Sequence, residues 1–182
     1  LTVNAVKKSE GAIISLEDTS AQITIVVPAD QELSELTIEG NNSAIDINEV
    51  SIKKVNTMTH DGWVSFNEFT GGTITAKDEL GSLRLDEVKV DNLTVIGESS
   101  NLHLEDSLVS KEGNVTLNNS NLSLHEMENS GYTLQISGES HIEKDYQPIT
   151  NTLLEQGQKR LKITAKDTSI NITTDQEDDE TD

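Results

Sequence analysis

The sequence predicts an all-β chain folded as a single-domain parallel β-solenoid, with about 19 residues per coil and irregular caps. Three columns of apolar residues predict it. A phrase reading apolar, polar, apolar, polar, acidic, apolar is written five times, at residues 45–50, 64–69, 83–88, 102–108 and 122–127, with one extra residue in the fourth copy; its starts are 19, 19, 19 and 20 apart. Between the copies runs a second column beginning at Leu36, Val55, Ile74, Leu93, Val115 and Leu134, spaced 19, 19, 19, 22 and 19. Each member has the alternation of a strand with one buried face. The third column is Val50, Phe69, Val88, Leu108, Met127 and Tyr146, spaced 19, 19, 20, 19 and 19. Columns that share one period describe a coil with three short faces per turn. An antiparallel meander or β-sandwich, the alternative arrangement, has no need to keep them in step.

Residues 1–30 break the repeat and read as an N-terminal strand cap. Leu1 to Val3, Ile13 to Leu16 and Ile23 to Val27 are short β-branched runs, and Pro28 closes the last of them. Such a piece covers the open edge of a stack. Residues 31–144 form the regular coils. Four residues after each start of the second column stand Gly40, Thr59, Asp78, Gly97, Asn119 and Gly138, where the spacing predicts a left-handed turn. Residues 145–174, with Pro148 and Gly157, read as an excursion or short helix followed by a last coil at Leu161 to Ile163 and Ile170 to Ile172. The acidic run 175–182 reads as a disordered tail.

Thirteen basic against 33 acidic residues give a net charge of −20, which disfavours nucleic acid and anionic membrane surfaces and favours cations and cationic peptides. The absence of cysteine excludes a disulfide framework and thiol or Cys-metal chemistry. No apolar run is long enough to span a membrane. The chain starts at Leu1 rather than Met, so an N-terminal signal or anchor is expected ahead of it.

The fifth letter of the repeated phrase supplies the candidate binding residues: Glu49, Glu68, Glu87, Asp106, Glu126 and, one period on, Asp145. Stacked turns lie about 4.8 Å apart, so these carboxylates are expected to form a stripe at one corner. Neighbouring unit charges at that distance repel by about 0.9 kcal/mol in water, which a plain solvated edge tolerates. The sharper reading is weak, multivalent attraction of Ca²⁺ or a cationic peptide. No Asp-x-Asp-x-Asp loop or Gly-Gly-x-Gly-x-Asp repeat accompanies the stripe, so no dedicated metal site and no cofactor are expected.

Thr37, Asn56, Thr75, Thr94, Thr116 and Gln135 read as an outward hydrogen-bonding ladder. His60, His103, His125 and His141 do not cluster at ligand spacing. A β-helix enzyme acting on acidic polysaccharide would need converging cations, and Lys53, Lys54, Lys77, Arg84 and Lys89 are scattered; catalysis is not expected. Trp63 precedes a strand start where other copies have Ala44, Ser82 or Asn101. It reads either as packing for the N-terminal segment or as a sugar-stacking platform.

The run from Ile23 to Pro28, then Leu33 to Ile38, then the segments at Ile45 and Val55, resembles the start of the bacterial adhesin-like family of β-strand-repeat proteins, a domain of unknown function that includes LiaG-like envelope-stress accessory proteins. The Ser-Gly-Asp turn of that family is eroded here to Gly40-Asn-Asn-Ser43, His60-Asp-Gly62 and Gly97-Glu-Ser-Ser100. The resemblance covers most of residues 20–172. It implies a solenoid-like fold outside a Gram-positive cell, attached through an N-terminal membrane segment, and no catalytic residues to carry over. The expected function is therefore a non-enzymatic extracellular cell-surface domain that binds protein or cell-wall polymer. The alternatives are an envelope-stress accessory protein that captures cationic antimicrobial peptide or calcium, and a polysaccharide-active enzyme.

Overall fold

Alternating apolar residues come in long and short runs, and the chain folds them into long and short strands. The computed structural model describes residues 2–5, 12–16, 33–125, 131–150, 153–156, 158 and 160–173. In chain order the strands are β1 (Thr2–Ala5), β2 (Ala12–Leu16), β3 (Leu33–Asn41), β4 (Ala44–Asn48), β5 (Ser51–His60), β6 (Trp63–Asn67), β7 (Thr70–Glu79), β8 (Ser82–Asp86), β9 (Lys89–Glu98), β10 (Asn101–Glu105), β11 (Leu108–Asn118) and β12 (Asn121–His125). Then follow β13 (Tyr132–Ser137), β14 (His141–Lys144), β15 (Gln147–Ile149), β16 (Leu153–Gln156), β17 (Leu161–Lys166) and β18 (Ser169–Thr173).

Sheet 1 holds ten strands in the order β1-β2-β3-β5-β7-β9-β11-β17-β13-β16, and sheet 2 holds eight in the order β15-β14-β18-β12-β10-β8-β6-β4. Pairing is parallel throughout the interior of both sheets, from β2 to β13 and from β4 to β14. Among the described residues it turns antiparallel only in the end pairs β1–β2, β13–β16 and β14–β15. The result is the expected parallel β-solenoid, but with two sheets per turn rather than three faces. The second column lies on a long strand of about ten residues, as in β7 and β9, and Val50, Phe69 and Val88 of the third column stand at the junction just ahead of such a strand.

Register stacks like on like. Ile47, Phe66, Leu85, Leu104, Leu124 and Ile172 occupy one inward position of sheet 2. Opposite them, Val55, Ile74 and Leu93 occupy one inward position of sheet 1. All are buried, and together they form one continuous core between the sheets. At the junction that follows sheet 2, the Phe69 ring meets Phe66 edge-on, with centroids 5.5 Å apart at 83°. Gly71 makes room for it: a Cβ there would stand 2.2 Å from the Ile52 carbonyl oxygen and 2.7 Å from the Phe69 ring.

Three details of register differ from the sequence expectation. A bulge between Val109 and Glu112 shifts β11 against β9, so Gly113, not Val115, pairs with Leu93. The spacing of 22 in the second column is thus a repeat of 20 read two residues late. Because the extra residue lies in this bulge and not ahead of Leu108, buried Ser107, whose Oγ accepts from the Val88 amide at 3.2 Å, keeps the spacing of 19 and falls beneath Val88 where Leu108 was expected. Four of the six predicted left-handed positions fall two residues late, at Asn42, Asp61, Leu80 and Ser99, with φ of 50–60°, whereas Asn119 and Gly138 are left-handed as predicted. Gly40, Thr59, Asp78 and Gly97 are instead the last inward positions of their strands.

Residues 145–160 were expected to be an excursion or short helix. Their described part is β15 and β16, which fold back antiparallel on β14 and β13. The last coil, β17–β18, does not end the stack. β17 lies between β11 and β13, and β18 lies between β12 and β14, paired in parallel on both sides. The chain therefore builds the rung at 131–149 first and then slides its final rung underneath. Residues 23–27, Met127 and the tail 175–182 lie outside the described residues.

Candidate functional site

The corner after each short strand of sheet 2 is where the acidic stripe was expected. A single residue must reverse the chain between Asn48 and Ser51, Asn67 and Thr70, or Asp86 and Lys89, and it does so in the left-handed region. Glu49, Glu68, Glu87 and Asp106 have φ of 50°, 48°, 50° and 43°. That conformation disfavours a side chain by roughly 1–2 kcal/mol relative to glycine. Three of the amides are tied to the next rung: Glu49 N–H donates to the Asn67 carbonyl at 3.1 Å, Glu68 to Asp86 and Glu87 to Glu105, both at 3.2 Å. The backbone is locked while the four carboxylates are exposed, one per rung. No cation pairs with them among the described residues.

Of the other two members of the predicted stripe, one can be placed, and it does not join the line. Glu126 lies outside the described residues. Asp145 does not follow in line, because β18 is interposed and Ile142 aligns through Ile170 with Leu122, which places Tyr146 at the equivalent corner position. Asp145 and Tyr146, with φ of 48° and 62°, are the two central residues of the β14–β15 hairpin turn.

The outer faces carry ladders of polar side chains tied across rungs. On sheet 2, Asn67 Nδ2 donates to Asn48 Oδ1 at 2.9 Å and Asn121 Nδ2 to Asn101 Oδ1 at 2.8 Å. Arg84 bridges Asp86 at 2.9 Å and Glu105 at 2.8 Å, and His103 Nε2 meets the same Glu105 oxygen at 2.8 Å. On sheet 1, Asn56 Nδ2 donates to Thr37 Oγ1 at 3.3 Å, as the threonine ladder requires, but Thr116 falls beside Ile96 instead of Thr94. The four histidines stand apart, and among the described residues no group of three His, Asp or Glu is placed to hold a metal ion. Arg84 lies on sheet 2, and Lys54, Lys77 and Lys89 lie on sheet 1.

Two carboxylates on sheet 1 have perturbed titration. The hydrogen bond and charge of Lys54, 2.8 Å away, hold Glu35 below the usual glutamate range. Hydrogen bonds from Lys111 and Ser110 do the same for Asp91. A depressed folded-state pKa stabilises the fold above the unfolded value and ceases to do so as pH falls through the folded one. Both groups are exposed, so the stabilisation is small. Carbon-detected NMR titration is expected to place the Glu35 midpoint below that of a free glutamate, and Lys54→Met to return it.

Sequence reasoning missed a buried polar feature at the other corner. Ser43, Ser100, Ser120 and Thr168 form an internal hydroxyl column; Ser100 Oγ donates to the Asp78 carbonyl at 2.9 Å and Ser120 Oγ to that of Asn118 at 2.7 Å. Where Gly62 and Gly81 interrupt the column, Thr59 and Asp78 fill the space from three residues earlier. Thr59 Oγ1 donates to Asp78 Oδ1 at 2.7 Å, in a place where a Cβ on Gly81 would lie 2.5 Å from that oxygen. The signal was present as an exchange: Gly40 with Ser43 and Gly97 with Ser100, but Thr59 with Gly62 and Asp78 with Gly81.

No curated protein and no solved structure matches the chain. One family model does, over residues 1–182, and its domain is of unknown function. A parallel stack with a period of about 19 residues and matched end to end by that model belongs to the Toastrack DUF4097 family.

Proposed function

We propose that this chain is a non-enzymatic extracellular domain of the cell surface, an adhesin-type module that binds protein or wall polymer. The observation that carries the reading is the repetition of its outer faces. Each rung presents the same outward positions at a spacing of about 4.8 Å, held by cross-rung hydrogen bonds, which suits a long repetitive partner better than a small molecule. Contacts of that kind add through many weak sites. Co-sedimentation of the purified chain with isolated cell envelopes tests it: saturable retention is expected, and no retention at low or physiological salt would sink it.

The exposed carboxylates of Glu49, Glu68, Glu87 and Asp106, one per rung and unpaired among the described residues, favour a second reading. In it the domain captures cationic antimicrobial peptide or, more weakly, calcium as part of an envelope-stress response. The combined change Glu68→Gln, Glu87→Gln and Asp106→Asn is expected to abolish binding of a polylysine probe, while each single change is mild. Because the sites are solvated, binding should fall steeply between low and physiological ionic strength. Equal binding by the triple variant would remove this reading.

A further inference from the structure

The outer face of sheet 2 contains a strip that departs from the charge of the rest of the chain. One outward column runs Trp63, Ser82, Asn101, Asn121 and Ser169, each paired with the next across parallel strands. The adjacent column, two residues on, runs Ser65, Arg84, His103, Ser123 and Asn171. In a chain with 33 acidic residues these ten positions hold no carboxylate. Acids fence the strip instead: Asp46 and Glu143 close the second column at either end, and Asp86 and Glu105 flank it while neutralising Arg84.

Within the strip the side chains are Ser and Asn apart from Trp63, Arg84 and His103. Trp63 is 44% exposed, and its cross-strand neighbours are Ala44 and Ser82, with Ser65 two residues along. None of these is large enough to cover the indole, and with Arg84 on the diagonal drawn toward Asp86 and Glu105, the residue keeps 44% of its surface open at one end of the strip. From Ser82 onward a shallow groove continues along the stack, floored by Leu102 and Leu122 and walled by Asn101, His103 and Asn121. The Asn121-to-Asn101 hydrogen bond uses one donor and one acceptor, and leaves the Asn101 amide hydrogens and the Asn121 oxygen facing out.

We propose that this strip is a binding site for an extended, uncharged glycan, with one sugar stacked on Trp63 and the following sugars laid along the groove, bonded by the Asn101 and Asn121 amides and the Ser82, Ser123 and Ser169 hydroxyls. A sugar ring offers a C–H face to an aromatic and hydroxyls at its rim, which matches an indole followed by amides and hydroxyls. The rungs repeat at about 4.8 Å, close to the length of one sugar in an extended β-linked polysaccharide, so each sugar spans about one rung. The fence of acids excludes anionic polymers. This inference names the wall-polymer partner of the surface-module reading and rests on it.

Trp63 is the single tryptophan of the chain, so its emission reports on the site directly. Adding cellohexaose or chitohexaose to the full chain is expected to shift that emission saturably, with no dependence on salt. The two sugars distinguish a plain hexose polymer from an N-acetylated one. In pull-downs on cellulose, chitin and purified wall glycan, Trp63→Ala is expected to weaken retention about tenfold or more. Asn101→Asp, which puts a carboxylate into the strip without removing core, should do likewise. Thermal unfolding of Trp63→Ala serves as the folding control. Glycan retention unchanged in both strip variants, or no emission shift with either sugar, overturns the inference. If cell envelopes still retain the chain in that case, the surface-module reading stands; if they do not, both fall.

Discussion

Phe69→Ala is expected to cost about 3–5 kcal/mol, the range for removing a fully buried phenyl ring. The upper part of that range applies because the site cannot collapse. Phe69 is completely buried and packs edge-on to Phe66, and the space beside its ring is held open by Gly71, which has no side chain to move in. The equivalent pairs in other rungs are Val50 with Ile52, Val88 with Val90 and Ser107 with Val109, so here one large residue followed by a Gly replaces two smaller ones. Refilling from the other side is blocked, because a Cβ on Gly71 would strike the Ile52 carbonyl oxygen; Gly71→Ala is itself destabilising, by about 1–3 kcal/mol. Far-UV circular dichroism should show Tm for Phe69→Ala lowered by roughly 6–20 °C. A loss below about 1 kcal/mol would contradict the packing described.

Ile163→Ala and Ile170→Ala are each expected to cost about 2–5 kcal/mol, and their effects should spread in an unusual pattern. Both residues are buried in the interleaved rung: Ile163 between Val115 and Leu134, Ile170 between Leu122 and Ile142. In a stack built in chain order, weakening the last coil frays one end and leaves the earlier rungs protected. Here the last coil joins two rungs that have no strand pairing with each other. Hydrogen exchange should therefore quicken in β11–β12 and in β13–β14, as well as in β17–β18. Faster exchange confined to β17–β18 would show that the rung at 131–149 is held some other way.

Much of the solenoid was legible because its causes are local and repeated. Ile45, Val64, Leu83, Leu102 and Leu122 stack in register as their spacing implied, since a slip of one residue would turn every apolar side chain to solvent. Past Leu93 the spacing was a poorer guide. A bulge adds a residue without adding an apolar position, and Val115 offered itself at the alternate inward slot two residues late. The corner residues were misplaced because Gly40 and Gly97 looked like turn glycines, whereas the left-handed positions are filled by Asn42, Asp61, Leu80 and Ser99. Composition cannot reveal that acids fill the opposite corner at positive φ, because glutamate has no special preference for it. The uncharged strip was hidden for a different reason: its members are spread over five strands, and only register brings them side by side.

The interleaved rung also bears on how the protein comes to be made. Synthesis delivers residues from the N-terminus, so each coil as far as β12 meets its neighbour already waiting. The segment 131–149 leaves the ribosome before residues 160–173, the coil it must rest on. What it finds is the open edge of β11 and β12, with Leu134 19 residues after Val115, the same interval that sets correct stacking earlier in the chain. A nascent chain that followed that interval would close the stack one rung short, and the pairing that sequence spacing suggests for Leu134 is the one it would have to avoid or leave to admit the final coil.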